Sequence, residues 1–289
     1  MPQTILVFLD PAHPAGRLAD SRQPQLFATD LGATRGDGIF ESLLALDGRP
    51  RKVQAHLDRL ASSAELLDLE LPAAAAWLAA IQTGLAEFAQ PEAIVKLLVT
   101  RGVEDAGQPT AWVQVSALPE SSKALREKGL DVLLLDRGYD SGLAERAPWL
   151  LLGAKTLSYA VNMAALRYAH QHDADDVIFT SADGRVLEGP TSSVLIAHRD
   201  GAVKRLITTQ LDSGILPGTT QGALFAAAKD AGWELGYGPL VPADLFDADA
   251  VWLVSSIRLL APVNRIDGTE INHDAELTAE LNALLATIR

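Results

Sequence analysis

The 289-residue chain contains no cysteine. That absence excludes disulfides, a thiolate nucleophile and cysteine-ligated metal centres. Cations are scarce: 24 Lys and Arg against 37 Asp and Glu leave a net charge of −13, with no basic stripe. A phosphodiester backbone is gripped by clustered cations, so no nucleic-acid partner is expected. No apolar run approaches the ~20 residues that span a bilayer, and no membrane partner is expected. The opening MPQTILVFLDPAHP has no basic stretch ahead of its short apolar run and does not read as a secretory signal, which leaves a cytoplasmic location as the default. A Walker phosphate loop, a strand–GxGxxG–helix unit and a GxSxG elbow are all missing. AHQHDADD at 169–176 groups two histidines with three aspartates. His170 and His172 stand two apart, however, which on a helix turns them to different sides, and no metal is expected. His56 and His198 have no partner identifiable from the sequence.

What the chain has is enough apolar substance, 48% of residues, for two modest domains or one large one. ILVFL reads as a short buried strand, and GIFESLLALDGRPRKV as a hairpin turning at Asp47-Gly48. Leu57, Leu60, Ala64 and Leu67 recur at helical spacing. AIVKLLVTRG and TAWVQVSAL form a pair of strands. The polar stretch PESSKALREKG at 119–129 is the expected interdomain connection. Beyond it lie a strand LDVLLLD, a helix through AVNMAALRYAHQHD, strands punctuated by Asp-Gly turns, a helix TTQGALFAAAKDAGW, a strand AVWLVSS and a closing helix AELTAELNALLATI. Strands and helices mix without strict βαβ alternation, which favours an α+β fold. The expected domains are 1–120, a smaller N-terminal α/β domain, and 121–289, a larger C-terminal one.

Four short segments carry chemistry in combination. Lys155, in APWLLLGAKTLSYAVN at 147–162, follows an apolar, strand-like run, Trp149 to Leu152, and two small residues. It is either a surface lysine past a strand end or an amine held ready to attack a carbonyl. Glu188, in GRVLEGPTSS, is expected to end a strand after an Asp-Gly turn. LPGTTQ at 216–221 opens a helix whose N-terminal amides suit a phosphate, and VSSIR at 254–258 puts two hydroxyls at a strand end. A strand-end carboxylate, an ordinary helix start and a turn are the plain alternatives for the last three. Taken together they match the needs of pyridoxal 5'-phosphate: a lysine for the aldehyde, a carboxylate for the pyridine nitrogen and a metal-free phosphate cup.

Across these segments the chain resembles the class IV pyridoxal-phosphate enzymes of fold type IV, which include branched-chain and D-amino acid aminotransferases and aminodeoxychorismate lyases. RGDGIFES (35–42), HLDRL (56–60), KLLVTRG (96–102), KTLSYAVN (155–162), DGRVLEGPTSSV (183–194), LPGTTQ and ADAVWLVSS with PVNRIDG carry the likeness in order. The resemblance implies a two-domain, D-amino acid aminotransferase-like fold, with a β-barrel-like sheet core in the C-terminal, cofactor-binding domain. It implies Lys155 as the residue bonded to pyridoxal phosphate and as the catalytic base. Glu188 would meet the pyridine nitrogen, Arg59, Thr219, Thr220 and Ser256 the phosphate, and Tyr159 the phenolic oxygen. It also implies a homodimer with the active site near the interface.

The implied reaction is elimination of pyruvate from 4-amino-4-deoxychorismate to give 4-aminobenzoate for folate synthesis. The alternative is an aminotransferase acting on branched-chain or D-amino acids, and a non-catalytic binding protein ranks third. TRGVEDAGQPT lacks the Pro-Arg-x-His element of D-amino acid aminotransferases, and VSSIR stands where branched-chain enzymes have Gly-Thr. Glu41 is shared with aminotransferases, whereas some lyases have threonine there. An anionic amine substrate calls for arginines, and Arg35, Arg101 and Arg258 are the candidates.

Overall fold

The computed structural model describes residues 4–288. The chain divides into two compact units, Met1–Pro119 with Ala154–Tyr159, and Glu120–Gly153 with Ala160–Arg289. The expected boundary at 120/121 runs along the chain alone. In the structure the six-residue segment bearing Lys155 is grouped with the first unit.

In the first unit, β1 (Thr4–Asp10), β2 (His13–Ala19), β3 (Gly38–Leu46), β4 (Arg49–Pro50), β5 (Glu92–Thr100) and β6 (Thr110–Ala117) form one antiparallel sheet in the order β2-β1-β6-β5-β3-β4. The expected hairpin turns at Asp47 and Gly48, both at positive φ (49° and 72°), the backbone that a tight two-residue hairpin loop requires. Three helices accompany the sheet: α1 (Leu31–Arg35), α2 (Val53–Leu66) and α3 (Ala74–Ala86). Leu57, Leu60 and Ala64 of α2 are buried, as their spacing predicts, and so is Leu67 just beyond.

The second unit starts with α4 (Glu120–Lys128), where the sequence suggested only a connection. The stretch is polar because no residue of the helix is fully buried, and Leu125 packs onto the core. Then come β7 (Leu130–Asp136), α5 (Leu143–Arg146), α6 (Ala160–Gln171), β8 (Asp176–Thr180), β9 (Ser193–Asp200), β10 (Val203–Thr209), α7 (Thr219–Asp230), β11 (Glu234–Gly238), α8 (Pro242–Asp247), β12 (Ala250–Ser255), β13 (Leu259–Ile266), β14 (Thr269–Glu270) and α9 (Ala275–Thr287). The mixed sheet runs β11-β10-β9-β12-β13-β7-β8, with β14 beside β13. β12 shows why its sequence is apolar throughout. Ala250, Trp252 and Val254 pack on one face with α7 and α9, while Val251 and Leu253 enter the core on the other.

Two local expectations change. Trp149 to Leu152 is no strand: Pro148–Leu150 is a 3₁₀ turn and Leu151 has φ 55°. Pro148 offers no N–H to a ladder, and Trp149 is exposed. Glu188 does not end a strand either. Its segment is irregular and joins β8 through the Thr180–Val186 bridge, with the Leu187 amide donating to the Phe179 carbonyl and the Phe179 amide to the Glu188 carbonyl.

Among the described residues no helix is long and apolar enough to cross a membrane, and no group of three His, Asp or Glu could hold a metal ion.

Candidate active site

In the first unit, the Lys155 segment is stitched along β3. The Phe40 amide donates to the Lys155 carbonyl at 3.0 Å, and the Leu157 amide donates to the Gly38 carbonyl at 2.8 Å. Gly38 has to be glycine for this approach, because a Cβ there would stand 2.4 Å from the Val99 carbonyl oxygen and 2.7 Å from the Leu157 side chain. From the other side the Lys155 amide donates to the hydroxyl of buried Ser63 on α2 at 3.1 Å. The lysine backbone is thus fixed by a strand and a helix. Its Nζ lies 4.6 Å from the Phe40 ring centroid and 5.7 Å from that of Tyr159, and the two rings meet edge to face at 5.3 Å. Aromatic faces attract a cation weakly without capturing its proton.

Arg59, on the same helix as Ser63, is bound by Glu41 of β3. Its Nε donates to Oε1 at 2.7 Å and Nη2 to Oε2 at 2.8 Å, the two-pronged geometry of arginine on carboxylate. His56 Nδ1 lies 2.7 Å from the same Oε2. Glu41 and His56 have side-chain exposures of 0% and Arg59 of 12%. Burial alone would raise the Glu41 pKa, but the hydrogen bonds from Arg59 and His56 outweigh it and hold the carboxyl at about 2. Burial lowers His56 below its ordinary value despite Glu41, which keeps the ring neutral and makes Nδ1–H the donor. Burial, with the nearby charges of Arg51 and Arg59, also lowers Lys52 to about 8. His56, seemingly partnerless in the sequence, therefore has a buried partner 15 residues earlier. Glu41 is the residue that sequence reasoning missed as part of this group. The signal was present: Ile39, Glu41 and Leu43 alternate along β3, all fully buried, so a carboxylate occupies a core-facing position.

The three arginines proposed for substrate differ. Arg101 is spent on structure, with Nε on Asp37 at 2.7 Å and its other nitrogens on the Leu67 and Asp68 carbonyls. In the second unit, Arg258 forms an ion pair with buried Asp176, while Arg126 donates to the carbonyls of Ile257 and Arg258. Arg35 ends α1 on the surface, and no hydrogen bond or ion pair holds it among the described residues.

In the second unit, Thr219 and Thr220 open α7 behind Gly218, which caps the helix with no side chain. Both hydroxyls lie 3.0 Å from that of Ser256, just past β12. Three hydroxyls and the first-turn amides of a twelve-residue helix are the neutral donor set that a phosphate accepts without a metal. Glu188 Oε2 accepts the Leu216 amide at 3.1 Å. Tyr139 is near enough to feel its charge: burial raises the phenol's pKa, Arg137 opposes that, and Glu188 adds to the rise. Arg137 stacks on Phe179 at 4.3 Å and donates to Asn162, which donates in turn to the Pro190 carbonyl.

The chemistry of these donors fits pyridoxal phosphate within each unit: amine, aromatic rings and arginine in the first, carboxylate and hydroxylated helix start in the second. The comparisons agree. The chain belongs to the class IV aminotransferases, whose family model matches residues 38–266. They are pyridoxal-phosphate-dependent enzymes of fold type IV.

Among curated relatives, the bifunctional aminodeoxychorismate lyase / D-amino acid transaminase of Mycobacterium tuberculosis is 44% identical over 274 residues, covering 92% of this chain and 95% of that one. A fold IV transaminase from Curtobacterium pusillum superimposes with a TM-score of 0.90 at 46% identity, covering 98% of this chain and 99% of that one. A hypothetical aminotransferase from Mycobacterium tuberculosis in its PLP-bound form gives a TM-score of 0.91 at 42% identity, covering 99% and 100%. The same protein is known with α-ketoglutarate and PMP bound.

Proposed function

We propose that the chain is a 4-amino-4-deoxychorismate lyase that eliminates pyruvate to give 4-aminobenzoate, with D-amino acid transamination as a second activity of the same residues. The observation that carries this reading is the 44% likeness, along nearly the whole of both chains, to a relative that bears both activities in its name. The missing Pro-Arg-x-His element after Thr100 supports the order of the two, and Glu41, shared with aminotransferases, supports keeping the second.

Pyridoxal phosphate, when bound, supplies an electron sink for the C–H bond that breaks. The chain's own residues do the rest. Lys155 would hold the aldehyde, and its Nζ, freed by the substrate amine, would take the substrate proton. Its backbone is held by Phe40 and Ser63, so the amine returns to one place. Glu188 would meet the pyridine nitrogen, and the Leu216 amide, donating to its Oε2, orients the carboxylate. Arg59 would offer the phosphate a charge, and Thr219, Thr220 and Ser256 would offer it neutral donors. Tyr159, set edge to face against Phe40, would meet the phenolic oxygen. With Arg101 and Arg258 engaged elsewhere, Arg35 is the arginine we assign to a substrate carboxylate. We further infer a homodimer, from the family; light scattering on the purified protein tests it, and a monomer at working concentration overturns it.

The deciding experiment supplies aminodeoxychorismate and no keto-acid acceptor, following 4-aminobenzoate and pyruvate together. Equal, catalytic amounts of both are expected. Their absence, alongside turnover of D-alanine with α-ketoglutarate, would leave transamination as the function.

A further inference from the structure

Resting on the reading of Arg59 as the phosphate-binding arginine, we propose that Glu41 is a positioning residue: it fixes the plane of the Arg59 guanidinium and so makes the site selective for phosphorylated over unphosphorylated pyridoxal, with His56 locking the carboxylate in turn. Glu41 stands on β3 between Ile39 and Leu43, at a position the strand otherwise gives to fully buried aliphatic side chains. α2 packs against this strand and brings His56 and Arg59 to the carboxylate from one helix, three residues apart. A buried ion pair is poor value for stability, since desolvating two charges offsets most of their attraction, and an apolar pair of similar volume does as well or better. The arrangement therefore asks for another reason.

Its geometry supplies one. The two bonds to Glu41 use two of the five guanidinium N–H groups and leave the plane no freedom to rotate. The His56 Nδ1–H bond pins Oε2, so the carboxylate cannot swing away with the arginine. A long, flexible side chain is thus presented in one orientation, and the entropy of ordering it is lost on folding rather than on binding.

A purely electrostatic role predicts the opposite behaviour. A carboxylate beside Arg59 opposes the approach of a dianion, so removing its charge would tighten phosphate binding. Positioning predicts that removing it weakens phosphate binding even though the site becomes more positive.

The test titrates apoprotein with pyridoxal phosphate and with pyridoxal, following the visible absorption of the lysine-linked cofactor, and compares Glu41→Gln with the unaltered protein. The expected result is a loss of phosphate preference, the ratio of the two dissociation constants, by about 10- to 100-fold, the worth of one charge-assisted hydrogen bond. Binding of pyridoxal itself should hardly change. An unchanged ratio, including an equal loss for both ligands, marks Glu41 as merely structural and overturns the proposal; a raised ratio overturns it in favour of charge alone.

Should Glu41→Gln not fold, His56→Leu poses the same question, with a several-fold drop in the ratio expected and recovery in His56→Asn, whose amide can replace the Nδ1 donor. No drop would again overturn it. If the unaltered protein showed no preference for phosphate, the functional reading itself would fall, separately from the role of Glu41.

Discussion

Arg59 in the first unit is an ion held by another ion, inside the core, with a neutral histidine completing the group. Thr219, Thr220 and Ser256 in the second unit carry no charge and hold one another at 3.0 Å around a helix start. Each is proposed as a phosphate-binding group, yet they are built on different physics. The ionic group gives strong, directional attraction and needs a buried counter-charge to stay folded. The hydroxyl group gives weaker bonds that cost little to desolvate and need only the helix to orient them. The two should therefore fail differently, the first in stability and specificity together, the second chiefly in affinity.

The largest effect bears on what both groups serve. Lys155→Ala should remove the visible band of lysine-linked cofactor and lower turnover by at least about 10²–10⁴-fold, the share of a general base. Near-normal turnover by that variant, in a steady-state assay, would discard the mechanism.

Next, the comparison itself can be broken by urea unfolding of the apoprotein. Glu41→Leu strands a buried guanidinium and should cost about 3–5 kcal/mol. Ser256→Ala should cost only about 0.5–1.5 kcal/mol, since its partners can bond each other or water. Equal losses would mean that the ionic group is no more structural than the hydroxyl one.

Acid titration sharpens the same point. Glu41 sits at about 2 in the folded protein against an ordinary 4.5, so the unfolded chain binds that proton more readily. Its stabilisation, about 3 kcal/mol, is complete above pH 4.5 and vanishes as the pH falls through about 2. His56 is likewise lowered from 6.5, so its contribution is complete above pH 6.5 and shrinks below that. Apoprotein stability should fall on acidification from about pH 6.5 downward, and the steeper fall, below 4.5, should be shallower in Glu41→Gln, with the part that remains coming from other lowered carboxylates such as Asp183.

The smallest expected effect is Arg35→Ala. With no partner among the described residues, this exposed side chain should change stability by no more than about 0.5 kcal/mol when removed, while raising KM for the proposed dicarboxylate substrate. Arg101→Met, in contrast, should destabilise without a matching change in KM, because its guanidinium bonds Asp37 and two carbonyls.

Much of this was legible in advance where the determinants are local. The Asp47-Gly48 turn, the apolar face of α2 and the helix opening at Thr219 depend on neighbouring residues, and the structure has all three. Composition misled where a partner was lacking. The run Trp149–Leu152 is apolar enough for a strand, but Pro148 and the positive φ of Leu151 turn it into a 3₁₀ bend. A polar stretch after Pro119 passed for a linker because a solvated helix needs few apolar residues.

By itself the sequence determined the family and the cofactor class, since these are written in short ordered motifs whose spacing survives without coordinates. Tertiary structure alone decided which charged side chains have work already. Glu41 meets His56 and Arg59 across 15 and 18 residues, Arg258 meets Asp176 and Arg101 meets Asp37, each across separate elements. A charge looks the same along the chain whether solvated or buried; only packing brings its partner within 3 Å and removes the water that would otherwise serve it.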